Sequence, residues 1–169
     1  MQIYEYCIDM AKNKNKKKIH IGADHRGYCL KYSIKQYLTK KGYEVIDHGN
    51  HQFKSTDDFP VYGKKVCQAV IKDNFKAPGI LICGSGVGMD ILANKTNCLR
   101  AALCWNHKVA QSARHDDDPH ILVLPADFIT AVEANKTVGK FLATNFSHKS
   151  KNKRRLKQID KYEKCKKRS

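Results

Sequence analysis

Residues 79–90 decide the fold of this chain, and they read Gly-Ile-Leu-Ile-Cys-Gly-Ser-Gly-Val-Gly-Met-Asp. A short apolar strand ends at Cys83, three glycines follow within five residues, and a helical pattern then continues to Lys95. A glycine-rich turn from a strand into a helix presents backbone N–H groups that attract negative charge. A cysteine at such a turn is expected to favour the thiolate, so the stretch predicts a base beside an anion-binding loop. The same pattern also fits a tight turn around a small buried cysteine.

The rest of the chain continues the order of strand and then helix. Apolar segments predict five strands, near residues 19–23, 43–47, 79–83, 99–104 and 121–124. Helical spacing of apolar side chains fills the intervals and continues after the fifth strand. This alternation favours a three-layer α/β fold, with a five-stranded parallel Rossmann-like sheet flanked by helices. Ligands of such sheets bind beyond the carboxyl ends of the strands, where this chain places Asp24, His25 and Cys83.

Length and charge predict one domain between two basic ends. The 169 residues suffice for one well-buried domain, which we assign to residues 19–150. Residues 1–18 are predicted to form a basic extension, and residues 151–169 a basic helix and tail. The net charge is +16, and residues 149–169 alone hold eleven Lys or Arg against two acids. A solvated lysine-rich end explains this better than a nucleic-acid partner, because the tail has Tyr162 as its only aromatic residue.

Composition also bears on the compartment. No apolar run approaches the roughly 20 residues of a membrane span, and the first residues do not resemble a secretory signal. The seven cysteines form no C-x-x-C pair, so neither a zinc site nor a disulfide framework is predicted. A reducing, cytoplasmic location is therefore expected, with no membrane partner.

A second motif, Gly-Ala-Asp-His-Arg-Gly at residues 22–27, closes the first strand with a carboxylate and an imidazole. Together with the Cys83 loop it resembles the type B ribose-5-phosphate isomerases and the related galactose-6-phosphate isomerase subunits. The resemblance covers about residues 19–160. It rests on these motifs in order: IGADHRGY (21–28), KGYEVIDHG (41–49), DDFP (57–60), GILICGSGVGMDILANK (79–95), LRAALC (99–104) and SARHDDDPHILVL (112–124).

The resemblance implies an enzyme that interconverts ribose 5-phosphate and ribulose 5-phosphate through an enediolate. His115 matches the histidine that opens the sugar ring, and Cys83 matches the base that takes the proton from C2. Ser85 and the loop N–H groups would stabilise the enediolate. Asp24 would hold a sugar hydroxyl or orient His25. The implied substrate-binding set is His25, Gly84, Gly86, Val87, Gly88, Asp116, Lys151 and Arg155.

Further expectations follow from the same resemblance. No cofactor and no metal are implied, and the enzyme would be a homodimer in which groups near His115 reach the Cys83 loop of a neighbouring subunit. Another branch of the family uses a glutamate later in the loop as the base. The nearest acid here is Asp90, and Cys83 is preferred.

The departures from the family pattern concern phosphate binding. An arginine commonly follows the fifth strand, whereas this chain has Asp127 there. Lys151 and Asn152 stand where an Arg-His pair is usual, and Asp116 replaces an asparagine. Two alternatives therefore stay open: an isomerase of another phosphosugar, such as galactose 6-phosphate or allose 6-phosphate, or a non-catalytic basic binding protein. Asp24 could also merely cap the first helix.

Overall fold

A computed structural model describes residues 16–162 of the chain. Within these residues five strands alternate with helices, and a last helix follows. Their bounds are β1 Lys18–Ala23, α1 Tyr28–Lys40, β2 Glu44–Asp47, α2 Phe59–Lys72, β3 Gly79–Cys83, α3 Val87–Asn94, β4 Ala101–Leu103, α4 His107–Asp117, β5 Ile121–Pro125, α5 Ala131–Ala143 and α6 Ser150–Asp160. The predicted alternation is confirmed.

All five strands are parallel, and their order in the sheet is β2-β1-β3-β5-β4. The chain leaves β1 towards β2 on one side and then crosses back to place β3 on the other side. The order of the strands therefore reverses between β1 and β3, and ligands bind beyond such a reversal. Ala23 pairs with Ile82 there, so Asp24 and Cys83 are brought together at what we call the carboxyl edge of the sheet.

Alternating side chains of the central strands divide the core into two apolar layers. Ile80 and Ile82 face one layer, which α1, α4 and α5 cover. Leu81 faces the other layer, which α2 and α3 cover. β3 and β5 are buried along their whole length, as strands covered by helices on both faces should be. The three-layer Rossmann-like architecture is confirmed.

The fourth strand is shorter than its apolar run predicts. The run extends over residues 99–104, but β4 is Ala101–Leu103. Leu99 and Cys104 are both buried in the core. The N–H of Cys104 still donates a 2.9 Å hydrogen bond to the Val123 carbonyl of β5, so pairing continues one residue past β4, whereas Leu99 contributes packing alone.

The chain ends, the cysteines and the helices can also be compared with the predictions. Of the predicted basic ends, residues 1–15 and 163–169 lie outside the described residues, whereas residues 151–160 of the predicted basic helix belong to α6. Cys98 is disulfide-bonded, which the cysteine spacing did not predict, whereas Cys29, Cys67, Cys83 and Cys104 are free. Among the helices described, none combines the length and the apolarity needed to cross a membrane.

Candidate active site

The glycine loop, residues 84–88, connects β3 to α3. Gly86 has φ +78°, a left-handed conformation that favours glycine, and a Cβ there would collide with Leu103. Gly88 packs against Phe59, whose Cζ would lie 2.7 Å from an added Cβ. Ser85 and Val87 point outward and are exposed. The buried glycines thus fix the loop, and Ser85 presents its hydroxyl to the solvent side.

Cys83 ends β3 at the base of this loop and is only 5% exposed. Burial raises the pKa of its thiol, although backbone N–H groups at Met89 and Gly86 act in the opposite direction. The prediction that the loop favours a thiolate is therefore wrong, because desolvation outweighs the helix N-terminus. A thiol with a raised pKa is a weaker acid, and its thiolate is correspondingly a stronger base once formed.

Asp24 follows β1 directly and is 6% exposed. Its Oδ1 accepts a hydrogen bond of 3.0 Å from the N–H of Gly27, just before α1. Burial raises the pKa of the Asp24 carboxyl, and the negative charge of Asp57 adds to that effect. The N-cap position of α1 is Gly27 and no side chain caps the helix, so the capping alternative is wrong for Asp24. The charge of Asp24 acts on the neighbouring Cys83 thiol.

A second carboxylate, Asp57, orients His25. Its Oδ1 lies 2.6 Å from His25 Nδ1 and accepts the His25 backbone N–H at 3.0 Å. Its Oδ2 accepts a 2.6 Å hydrogen bond from Asn50 Nδ2. Burial alone would raise the pKa of Asp57, but these hydrogen bonds hold it below its ordinary value. Asp57 is therefore an ionised anchor that fixes the imidazole.

Sequence reasoning missed this role of Asp57. The motif at residues 57–60 leads into a helix, since α2 begins at Phe59 with Pro60 in its first turn. Asp58 occupies the N-cap position but makes no side-chain capping hydrogen bond. The sequence alone does not show which of the two adjacent acids, Asp57 or Asp58, turns towards the end of β1.

Arg26 and Asp127 form an ion pair across the mouth of the site. Arg26 belongs to the loop after β1, and Asp127 to the turn of 3-10 helix after β5. The backbone N–H of Asp127 donates a 3.0 Å hydrogen bond to the carbonyl of Gly84. The acid that replaces the expected arginine is thus neutralised by a neighbouring arginine.

His115 lies at the other edge of the sheet. It stands in the last turn of α4, which begins beyond the carboxyl end of β4 and runs back along the sheet. Arg100, just before β4, donates hydrogen bonds to the carbonyls of Asp117 and Asp118, only two and three residues after His115. We call this side the amino edge. A single chain therefore does not bring His115 to Cys83.

Asp116, Lys151 and Arg155, three of the predicted substrate-binding residues, lie on the same side of the sheet as His115. His115 Nδ1 lies 2.8 Å from Asp116 Oδ1, and Asn152 Nδ2 donates to the same oxygen at 2.9 Å. The hydrogen bonds from His115 and Asn152 lower the pKa of Asp116. Asn152 thereby attaches α6 to α4, and Lys151 and Arg155 are exposed on that helix.

Asp90, the alternative acid of the glycine loop, is not placed to act as the base. Asp90 lies near Leu103 and Cys104 rather than at Cys83, and burial raises the pKa of its carboxyl. Between residues 16 and 162, no group of three or more His, Cys, Asp or Glu side chains could hold a metal ion.

A cavity of about 840 Å³ opens at the amino edge, and its lining includes Arg114 and His120 but not Cys83.

Similarity to known proteins identifies the family of the chain. The profile of the ribose/galactose isomerase family matches residues 19–159. The chain belongs to this family. A probable ribose-5-phosphate isomerase B from Mycoplasma genitalium is 40% identical over 146 residues, which are 86% of this chain and 95% of the relative. A putative sugar phosphate isomerase from Rickettsia bellii is 44% identical over 128 residues, 76% of this chain and 88% of the relative.

Solved structures of family members have the same fold. The Mycoplasma genitalium ribose-5-phosphate isomerase B with bound ribulose-5-phosphate has a TM-score of 0.82 at 39% identity, covering 86% of this chain and 95% of that one. The Thermotoga maritima ribose 5-phosphate isomerase has a TM-score of 0.81 at 42% identity, covering 87% and 99%. The resemblance inferred from the motifs is therefore confirmed for the family and the fold.

Proposed function

We propose that the chain is a sugar-phosphate isomerase that interconverts ribose 5-phosphate and ribulose 5-phosphate. The observation that carries the proposal is the position of Cys83. Its thiol lies beside Asp24 at the reversal point of the sheet, under a loop of backbone donors. The related Mycoplasma genitalium enzyme, whose structure contains bound ribulose-5-phosphate, supports the choice of substrate.

Cys83 is the proposed base. Its thiolate takes the proton from C2 of the open-chain aldose, and the electron pair moves to the carbonyl oxygen on C1 to give an enediolate. The resulting thiol returns the proton to C1, and the O2 proton is transferred to O1, so that C2 becomes the carbonyl and C1 carries the hydroxyl. Loop N–H groups and the Ser85 hydroxyl stabilise the enediolate, and one such donor is typically worth about 3 kcal/mol of barrier.

Ring opening requires a second copy of the chain. His115 is the proposed acid and base for the ring oxygen and the anomeric hydroxyl, because imidazole titrates near neutral pH. Its position at the amino edge supports a homodimer in which His115, Asp116, Lys151 and Arg155 of one copy face Cys83 of the other. A cytoplasmic location stays a prediction, which the four free thiols support and the disulfide-bonded Cys98 does not.

Turnover of ribose 5-phosphate by the purified chain tests the function. We expect Cys83→Ala to abolish turnover of both ring and open-chain substrate, because Cys83 is the proposed base for the C2 proton. His115→Ala should chiefly slow the ring form. Galactose 6-phosphate and allose 6-phosphate serve as competing substrates, and a higher kcat/KM for either would transfer the assignment to that sugar. Equal rates for the unchanged chain and Cys83→Ala would refute the mechanism.

A further inference from the structure

Arg26 lies directly on the first residue of the glycine loop. A Cβ added at Gly84 would come 2.5 Å from Arg26 Cζ, so the guanidinium packs where a side chain would otherwise stand. Gly84 follows Cys83 in the chain, and consecutive Cα atoms are about 3.8 Å apart. The positive charge therefore lies at the mouth of the cysteine site, and it acts on the Cys83 thiol.

Asp127 holds this guanidinium in place. Its Oδ2 accepts a hydrogen bond from Arg26 Nη2, and its own N–H donates to the Gly84 carbonyl at 3.0 Å. The carboxylate is thus fixed to the same residue on which the guanidinium lies. Arg26, Gly84 and Asp127 form one unit that joins the ends of β1, β3 and β5.

Most N–H donors of Arg26 have no acceptor among residues 16–162. A guanidinium has five N–H groups in a planar fork, and Asp127 accepts from Nη2 only. The Arg26 side chain is 57% exposed, which is more than a purely structural contact needs. Exposed ion pairs contribute little to folding, so the pairing explains the orientation of Arg26 better than it explains the stability of the fold.

We propose that Arg26 binds the phosphate group of the substrate and that Asp127 is its positioning residue. The inference rests on the proposed function, since it names the group that recognises the phosphate of that substrate. A planar fork of N–H groups matches the oxygens of a phosphate, which a lysine cannot do in the same geometry. His25, the preceding residue and fixed by Asp57, lies on the same loop and can donate to the same anion.

Binding measurements test the role of Arg26 without requiring turnover. The probes are inorganic phosphate, ribose 5-phosphate and unphosphorylated D-ribose, titrated calorimetrically into the full chain. We expect Arg26→Ala to weaken both phosphorylated probes by about 10- to 100-fold, the usual effect of losing hydrogen bonds to a charged group. D-ribose should be unaffected. Lys40→Ala, which removes an exposed positive charge at the far end of α1, is the matched control and should change nothing.

A double variant that moves the positive charge from position 26 to position 127 distinguishes phosphate binding by Arg26 from a purely structural ion pair. In Arg26→Ala/Asp127→Arg the guanidinium is supplied from the other side of Gly84, and phosphate affinity should recover at least partly. Arg26→Lys should fall between the unchanged chain and Arg26→Ala. Unchanged phosphate affinity in Arg26→Ala, equal losses for D-ribose, or no recovery in the double variant would each overturn the proposal. Absence of isomerase turnover with these binding results intact would instead refute the proposed function alone.

Discussion

The carboxyl edge and the amino edge of the sheet hold different halves of the candidate site. At the carboxyl edge Cys83 and Asp24 are almost completely buried. At the amino edge the side chains of His115 and Asp116 are about half exposed, at 44% and 46%. Burial shifts the pKa values of the first pair, whereas exposure leaves the second pair open to another molecule. The proposed base therefore lies in a dry environment, whereas the histidine proposed to open the ring is accessible to a second copy of the chain, as the proposed shared site requires.

The largest effect is expected when two variants, each lacking a different half of the proposed site, are mixed. Cys83→Ala lacks one half of the site and His115→Ala lacks the other, so a mixed dimer regains one intact site. Random reassortment makes roughly half of the dimers mixed, and activity towards the ring form should return to roughly a quarter of the unchanged level. The measurement is the ribose 5-phosphate rate after the two variants are unfolded and refolded together.

The control for this experiment mixes Cys83→Ala with the double variant Cys83→Ala/His115→Ala. Every site then lacks Cys83, so activity should stay at background. Should the first mixture also stay at background while the refolded proteins are dimeric, the two edges do not meet across an interface, and the division of the site is wrong.

Much of the carboxyl edge could be predicted from the sequence because its signals are local. A strand, a cysteine and a glycine-rich turn follow one another, and the parallel order then places Cys83 beside Asp24. The state of the thiol could not be predicted, since burial comes from distant residues packed around it. Asp57 and Arg26 were missed for the same reason. Each lies in a motif that was recognised, but its partner is 32 or 101 residues away.

At the amino edge, in contrast, the local sequence does not predict where the site residues lie. His115 was identified through a family resemblance, and nothing in its local pattern indicates which edge of the sheet it occupies. That follows from the direction of α4 and from the contacts of Arg100 with Asp117 and Asp118. Asp127 illustrates the same point, because a carboxylate that appears repulsive in the sequence is neutralised by Arg26 in the structure.

The pH dependence of Cys83 alkylation gives an intermediate effect. Because burial raises the pKa of this thiol above 9.0, its thiolate should still be increasing where an ordinary thiol has levelled off. The iodoacetamide rate at Cys83, followed by peptide mass spectrometry, should reach half of its maximum at a higher pH in the folded chain than in urea. Exposed Cys29 provides an internal reference for reagent reactivity. A plateau below pH 8 in the folded chain would restore the thiolate that the sequence predicted.

His120 gives the smallest expected effect on activity and separates stability from chemistry at the amino edge. Its Nδ1 accepts a 3.1 Å hydrogen bond from the Arg100 N–H, which requires a neutral ring. Burial, together with the charges of Arg100 and Arg114, lowers the pKa of His120 to about 4. The unfolded chain binds this proton near the ordinary value of 6.5, so the stabilisation is present above that pH and is lost as the pH falls towards 4.

Urea unfolding of the unchanged chain and His120→Gln, at pH 7 and at pH 4, measures this loss. A shift of that size corresponds to about 3 kcal/mol of unfolding free energy, and the glutamine variant, which does not titrate, should lose less than the unchanged chain by about that amount. Its kcat at pH 7 should stay within about twofold, since His120 faces Arg100 and Phe75 rather than either half of the site. Parallel losses in the two proteins would mean that folding does not lower the pKa of His120. The neutral ring that accepts the Arg100 N–H would then not be the source of the pH dependence.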